Sequence, residues 1–490
     1  MTEAIPHPHA HIAHLAMVAR LLGREPPDFR RCRVLEIGCG GGDNILPMAL
    51  AYPDSRFVGI DESAVAIARG RRDADTVGAE NLGLHAVGAA DWTGDGPFDY
   101  ILCPAVLSWV PPPEAEAILA LISRSLSAGG LALVGYNTLP GWHMAAGLRD
   151  LLAYHGADSV DAARAVLGFV HRSLGEHRTA WAEAIDAALA LSDADLARDH
   201  LGGDNHAFYF HRFVEAAGRH GLAYLADAEF GGMFLGNYPD EVAEALAADD
   251  VVRIEQRLDF INNRRFRSSI LCRPGGRLDR SIDAGRTLDF HLRALMTADR
   301  GDADEMVFKG TVNRDLVFTA RGRAACGLFV TLCRHSGRAV AAADLLAQAA
   351  ATGLPEAELR TAFLDLVPRI ALARGVELSL DPGAFTTEVS ERPRATTLAR
   401  HQARQSDLVT NARHERVGLD VVARAVLPQL DGRRDRAGIE ALVLAQLKDG
   451  RLSALRDGAP ITDEEQLRAM AAEATAAALA ALARLALLEG

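Results

Sequence analysis

The sequence predicts an α/β fold, a seven-stranded sheet covered by helices with mainly helical segments after it. Three observations carry this. Between Arg33 and Tyr136 short apolar runs of β type alternate with helical stretches, which is the pattern of a parallel sheet covered by helices. The first of these runs ends in a glycine-rich turn, VLEIGCGGGDN, that leads into a helix. Two more runs, LAYLADAEF and FRSSILC, come only after a long helical stretch.

Taken in order, strands are expected at Arg33 to Ile37, Arg56 to Ile60, Leu84 to Gly88, Phe98 to Cys103 and Leu131 to Tyr136. Residues Gly141 to Asn205, rich in Ala and Leu, read as a helical insert that caps the sheet. The sixth and seventh strands follow at Leu222 to Phe230 and Phe266 to Cys272. CRPGGR, Cys272 to Arg277, ends this unit, because Pro and paired Gly punctuate local structure. Beyond it lie two mainly helical segments, about Asp302 to Phe385, with a β-like VELSL near its end, and about Asn411 to Gly490. An Arg-bearing linker, ERPRATTLARHQARQ, joins them. The Ala-rich tail from Met470 to Leu488 is interrupted by Glu473 and Arg484 and reads as a packed helix. The expected divisions are 1–140, 141–205, 206–275, 276–395 and 396–490.

Bulk properties narrow the function. At 490 residues the chain exceeds one ordinary core, given roughly 150 residues per domain. Its net charge of -13 argues against a nucleic-acid-coating protein, since phosphate binding draws on excess Lys and Arg. Cys32, Cys39, Cys103, Cys272, Cys326 and Cys333 form no CxxC pair and no zinc-finger spacing, so neither a metal nor a disulfide framework is expected. The first residues lack the basic region and apolar run of a signal peptide, and no apolar stretch is long enough to span a membrane. A cytoplasmic location is the default.

In VLEIGCGGGDN, Glu36, Gly38, Gly40 and Gly42 fall at alternate positions and Asn44 opens a helix. Glycines there let the backbone turn tightly and approach a ligand, although a bare tight turn explains the glycines taken alone. Such a ligand sits at the carboxyl ends of the strands, where strand order reverses. A dinucleotide fingerprint would place its third Gly at Asp43, and no GxxxxGK[ST] phosphate loop is present. ExGxGxG is instead similar to methyltransferases that use S-adenosylmethionine (SAM), whose sulfonium and ammonium suit an acidic Glu36 and Asp43. FVGID places Asp61 for the two ribose hydroxyls, and AADW places Asp91 by an adenine amine and Trp92 by its ring. The candidate cofactor set is Glu36, Gly38, Cys39, Gly40, Gly42, Asn44, Asp61, Glu62, Asp91, Trp92 and Cys103. Trp109 reads as core.

Longer segments carry a more specific resemblance: AHIAHLAMVARLLG, VLEIGCGGGDNILPMA, SWVPP, YNTLPGWHM, YFHRFVEAAGRHGLAYLADAEF, DFINNRRFRSSILCR, NARHERVGLD and LPQLDGRRDRAGI. Together they resemble bacterial class I methyltransferases with a methyltransferase regulatory domain, in particular the rickettsial-type protein lysine methyltransferases. This resemblance implies a Rossmann-like SAM domain, a cap, the regulatory segment over 206–275, and winged-helix-like parts over 276–395 and 396–490. Ile12 departs from the family, where a Pro follows the residue matching His11, and Ala10 stands where a Thr is usual.

The loop after the fifth strand, Tyr136 to His143, is where many SAM enzymes present the acceptor, and positioning supplies most of the acceleration. A lysine amine, with a reference pKa of about 10.4, must be held neutral there by desolvation or a proton path. Tyr136, Trp142 and His143 are the catalytic candidates, with Tyr154, His155, Tyr209 and His211 behind them. His143 and His211 also fit plain packing or buttressing roles. His7, His9, His11 and His14 read as a mobile terminus or a lid over SAM, without a carboxylate or cysteine to complete a metal site. NRRFR and GRRDR read as solvated faces or ion-pair sites before acidic-substrate contacts. The expected partner is a protein substrate, with a small molecule as the alternative and a homodimer open; a SAM-sensing regulatory or DNA-binding protein is the rival class.

Overall fold

Strands buried on both faces need apolar side chains at successive positions, and those between Arg33 and Cys272 supply them. The structure, a computed structural model, describes residues 6–94, 96–175, 179–275, 282–335, 337–453, 455–456, 459–461 and 463–490. Helix α1 (Ile12–Leu21) precedes β1 (Arg33–Ile37), α2 (Ile45–Ala51), β2 (Arg56–Asp61), α3 (Ala64–Val77), β3 (Leu82–Ala86), β4 (Phe98–Cys103), α4 (Pro112–Ser125) and β5 (Leu126–Asn137). The insert supplies α5 (His143–Tyr154), α6 (Val160–Leu174), α7 (Ala180–Leu189) and α8 (Asp193–Leu196). Then come α9 (Phe210–Arg219), β6 (Ala223–Asp227), α10 (Asp240–Leu246), α11 (Val251–Ile261) and β7 (Phe266–Cys272).

The seven strands lie in the order β3-β2-β1-β4-β5-β7-β6. Six are parallel, the first five as expected, and β7 runs antiparallel to both neighbours. A run of apolar residues carries no direction, so only the chain's path could show this. Strand order reverses between β1 and β4, which opens a crevice at their carboxyl ends.

Alternation sends Val34, Tyr100, Leu102, Leu131 and Leu133 to one face and Leu35, Ile101, Cys103, Ala132 and Val134 to the other. The second face packs on α4 and α9. The first packs on α1, nearly all of whose residues are buried, and on Phe290 to Leu378. The middle segment therefore shares its core with the sheet. The insert has its own, around Leu148, Leu167 and Ile185.

That middle segment is less helical than expected. It contains β8 (His291–Ala294), β9 (Met296–Gly301), β10 (Glu305–Gly310), β11 (Val317–Arg321), α12 (Arg323–Arg334), β12 (Val340–Ala341), α13 (Ala342–Ala350), α14 (Glu356–Leu372) and β13 (Val376–Ser379). β9, β10 and β11 form a three-stranded sheet, and β8 pairs between β12 and β13. Its strands are short, and five consecutive residues of β9 are exposed, which erases the alternation a sequence reading needs.

The carboxyl-terminal part holds α15 (Thr397–Gln402), β14 (Leu408–Thr410), β15 (Arg416–Gly418), α16 (Val421–Val426), α17 (Arg436–Lys448), the short pair β16 (Leu455–Arg456) and β17 (Ala459–Pro460), and α18 (Glu464–Arg484), around a core of Val426, Ile439, Val443 and Leu482. The expected linker contains α15, capped by Thr396 and docked on the sheet unit. Leu398 packs with Leu46, Ala74 and Val77, and His401 Nε2 donates to Asp73 Oδ1 at 2.9 Å. Part of the expected CRPGGR break, residues 276 and 277, lies outside the described residues. No helix of the described residues is long and apolar enough to cross a membrane.

Candidate functional site

The turn after β1 is built on positive φ angles at Gly38 (70°), Gly40 (55°) and Gly42 (82°), a region that disfavours any residue with a Cβ. At Gly38 a Cβ would also lie 2.1 Å from Val106 Cγ2, so the loop after β4 closes directly on this backbone. Asp61, at the end of β2, ties the turn down: its Oδ2 accepts from Gly40 N at 2.8 Å and its Oδ1 from Ser63 N at 2.8 Å. Each oxygen keeps a lone pair for a further donor.

Glu36 is 2% exposed, and burial pushes its carboxyl up to about 8. Asn44 Nδ2 donates to Glu36 Oε1 at 2.9 Å, while Oε2 has no partner among the described residues. Asn44 stands at the N-cap of α2 yet makes no side-chain cap bond, because its Oδ1 accepts from His7 N instead. Among the described residues several further buried polar atoms lack partners, and two of them follow strands of this sheet: Trp92 Nε1, in the segment after β3, and Asn137 Nδ2, at the end of β5. Buried polar atoms are normally satisfied, so these three mark places for ligand groups along one edge of the sheet. Asn137 was not singled out by sequence; its only signal there is its place at a strand end.

Other expected residues fall less simply. Asp43 pairs with Arg69 at 2.5 Å, so its charge is already engaged within the chain. The Cys39 and Cys103 side chains are buried among apolar groups, one on each face of the sheet, and burial raises both thiols, Cys103 to about 12. Glu62 and Asp91 are exposed, and Glu62 Oε1 lies over Gly88, 2.6 Å from where a Cβ would be. The Trp92 ring lies 5.3 Å from that of His85.

On the acceptor side, Tyr136 is a core residue, not a wall of the crevice. It is fully buried, stacks on Phe213 at 4.1 Å and shares a 2.9 Å hydrogen bond with Ser269. Trp142 donates from Nε1 to Asn205 Oδ1 at 2.9 Å, meets Trp109 edge-on at 6.1 Å and carries the Arg265 guanidinium over its face. Trp109 is half-buried, short of the expected core position. His143 opens α5 and is exposed. Tyr154, 87% exposed, and His155 lie at the far end of α5, too distant in the helix to join the loop. Tyr209 stacks on His211, whose Nδ1 bonds to Gln256 Oε1 at 2.8 Å.

The histidine-rich start is packed, which corrects the mobile-terminus reading. His7 N donates to Asn44 Oδ1 at 2.8 Å, and His14 Nε2 donates to Ala228 O at 2.8 Å. Burial holds His7, His11 and His14 down at about 4, so they are neutral at pH 7. In NRRFR, Arg264 and Arg267 are ion-pair residues. Arg267 reaches Asp259 at 2.8 Å and Glu255 at 2.9 Å, and Arg264 reaches Asp227 at 2.8 Å.

A cavity of about 1270 Å³ lies off the crevice, between the amino-terminal segment, the end of α2, the middle segment and the carboxyl-terminal part. Tyr52, Arg293, Glu377 and His414 line it. It shares Pro8, His9, Glu229 and Arg264 with a cavity of about 150 Å³ beside Pro104, the residue after β4. Arg293, whose Nε is also without a partner among the described residues, lines the larger cavity, so unpartnered polar atoms occur there as well as at the crevice.

Three families match successive parts of the chain: "Methyltransferase domain" at residues 34–130, "Predicted methyltransferase regulatory domain" at 192–273, and "PKMT, C-terminal winged helix domain" at 391–487. The chain is 31% identical over 495 residues to the uncharacterized protein RP789 of Rickettsia prowazekii, covering 95% of this chain and 88% of that one. Among solved structures, PKMT2 from Rickettsia typhi matches with a TM-score of 0.92 and 26% identity over 100% of both chains. The same protein in complex with AdoHcy matches with a TM-score of 0.93 and 24% identity, again over 100% of both.

Proposed function

The chain belongs to the family of class I methyltransferases that carry a methyltransferase regulatory domain and a PKMT-type winged helix, and from that premise we propose that it methylates a lysine side chain of a protein. It is a SAM-dependent methyltransferase. The observation that carries the choice of acceptor is the end-to-end likeness to PKMT2, which runs through the regulatory and winged-helix parts as well as the cofactor domain. We place the cofactor in 1–140, with 141–205, 206–275, 276–395 and 396–490 as cap, regulatory, middle and winged-helix parts, in a cytoplasmic protein.

The residues present fit SAM. The turn after β1 holds positive φ at Gly38, Gly40 and Gly42, and Glu36 Oε2 is a buried acceptor without a donor among the described residues. In this reading Glu36 faces the cationic end, Asp61 accepts from the ribose hydroxyls, and Asp91 and Trp92 flank the adenine. When bound, SAM supplies a methyl carbon made electrophilic by its sulfonium. Everything else is positioning: the β5–α5 loop, tied by Thr138 N to Arg265 O at 2.9 Å and by Leu139 N to Phe208 O at 3.0 Å, holds the acceptor in line. Buried Trp142 and the Arg265 guanidinium over its face disfavour a charged amine, which keeps the nucleophile neutral. The small cavity beside Pro104 gives an extended side chain a path from the larger one. Labelled methyl from SAM is expected in the protein fraction of a bacterial lysate, on lysine by mass spectrometry. Label confined to small molecules overturns the reading.

A pH effect follows from Glu36. Its folded value near 8 lies above the ordinary carboxylate value, so the neutral form is favoured; the associated stability is present below about pH 4.5 and is lost as pH rises through 8. A cationic ligand needs the charged form. SAM binding at pH 7 is therefore expected to release a proton, read from titration heats in buffers of different ionisation enthalpy. Affinity should fall about fivefold between pH 8 and pH 7. Glu36→Gln removes both effects, and heats independent of buffer would contradict the assignment.

A further inference from the structure

Besides the α15 contacts, the sheet unit and the carboxyl-terminal part are joined by a buried hydrogen bond inside the proposed cofactor site. β14 and β15 form a hairpin, and at its tip His414 Nε2 lies 2.8 Å from Asn44 Oδ1. Roles follow from chemistry. His7 N–H can only donate, so the oxygen of the Asn44 amide faces it, and the amide nitrogen therefore faces Glu36. His414 must then donate from Nε2. The chain of donors runs His414 to Asn44 to Glu36, from one part of the protein to the other.

The tip is built to present this ring. His414 adopts a left-handed φ of 59°, a conformation a non-glycine residue keeps only when its surroundings impose it. Those surroundings are explicit: Asn411 Oδ1 accepts from Arg413 N and Glu415 N, each at 2.9 Å, and Asn411 Nδ2 donates to Glu415 Oε2 at 2.8 Å. Arg413 and the middle segment's Arg293 hold the Glu415 carboxylate from two sides. The ring is 4% exposed, meets His11 edge-on at 5.1 Å, and is kept neutral by burial.

We propose that His414 is a positioning residue for the cofactor site: by fixing Asn44, and through it Glu36, it links seating of the winged-helix part to cofactor binding. The inference rests on the SAM reading above. Linkage is reciprocal, so the bound cofactor should also hold the hairpin in place.

The test uses the full chain and S-adenosylhomocysteine, the demethylated product, as the probe. Wild type that fails to bind it sinks the SAM reading itself. Given wild-type binding, His414→Ala is expected to weaken it about tenfold, the scale of one buried hydrogen bond. His414→Gln, which keeps a donor, should recover most of that, and in an Asn44→Ala background His414→Ala should cost little more. An independent readout needs no variant: hydrogen exchange at residues 411–415 should slow when the probe binds wild type. Wild-type affinity in folded His414→Ala, an equal loss in the Asn44→Ala background, or exchange at the hairpin tip indifferent to the probe each overturns the proposal.

Discussion

Asp61→Ala is expected to remove measurable SAM binding while leaving the chain folded. The carboxylate does two things at once. It accepts from Gly40 N and Ser63 N, which holds the glycine turn against the end of β2, and in the proposed site it also accepts from two ribose hydroxyls. Hydrogen bonds to a charged group are worth roughly 1.5–3 kcal/mol each, so losing two to the ligand predicts a fall in affinity of about 10²- to 10⁴-fold. Asp61→Asn should fall between. Its single oxygen can serve Gly40 N or Ser63 N but not both, and its NH2 faces the donor it fails to serve. Titration calorimetry checks both variants, and an Asp61→Ala protein that binds SAM like wild type would remove Asp61 from the site.

Arg267→Leu should be the most destabilising single change. The guanidinium is 1% exposed, lies 3.9 Å from the centre of the Phe210 ring, and meets Asp259 at 2.8 Å, Glu255 at 2.9 Å and Asp227 at 3.5 Å. Burial already raises Glu255 and Asp259, and Arg267 is what opposes that. Without it, buried carboxylates lose their main counter-ion, at a cost of about 3–5 kcal/mol. A drop of the order of 10 °C in the first thermal transition is expected. Because the variant's carboxylates are easier to bury protonated, the deficit should shrink as pH falls towards their unfolded values. A loss that is the same at pH 5 and pH 8 would show that packing, not charge, dominates.

The same network shows where sequence reading stops. NRRFR can be seen as an ion-pair run, but which carboxylates it meets depends on α11 folding back on β7, and Asp227 comes from a third element. The fold was legible because strand positions are local: alternating apolar runs bounded by turn residues locate all seven strands of the main sheet. The turn was legible because positive φ restricts residue type, so Gly38, Gly40 and Gly42 appear in the sequence itself. Asp61 followed, since strand length places the second carboxylate beside that turn. β8 to β11 were not legible, because short, half-exposed strands show neither period.

What the sequence alone determined, then, is the sheet, the glycine turn and the acids at its strand ends, all set by backbone sterics and by periodicity over a few residues. Tertiary structure decided which polar groups remain free. It paired Asp43 with Arg69, buried Tyr136 against Phe213 and Ser269, and carried His414 across 370 positions to Asn44. Whether a side chain has charge or hydrogen-bonding capacity left for a ligand depends on neighbours distant in the chain, and no local pattern encodes them.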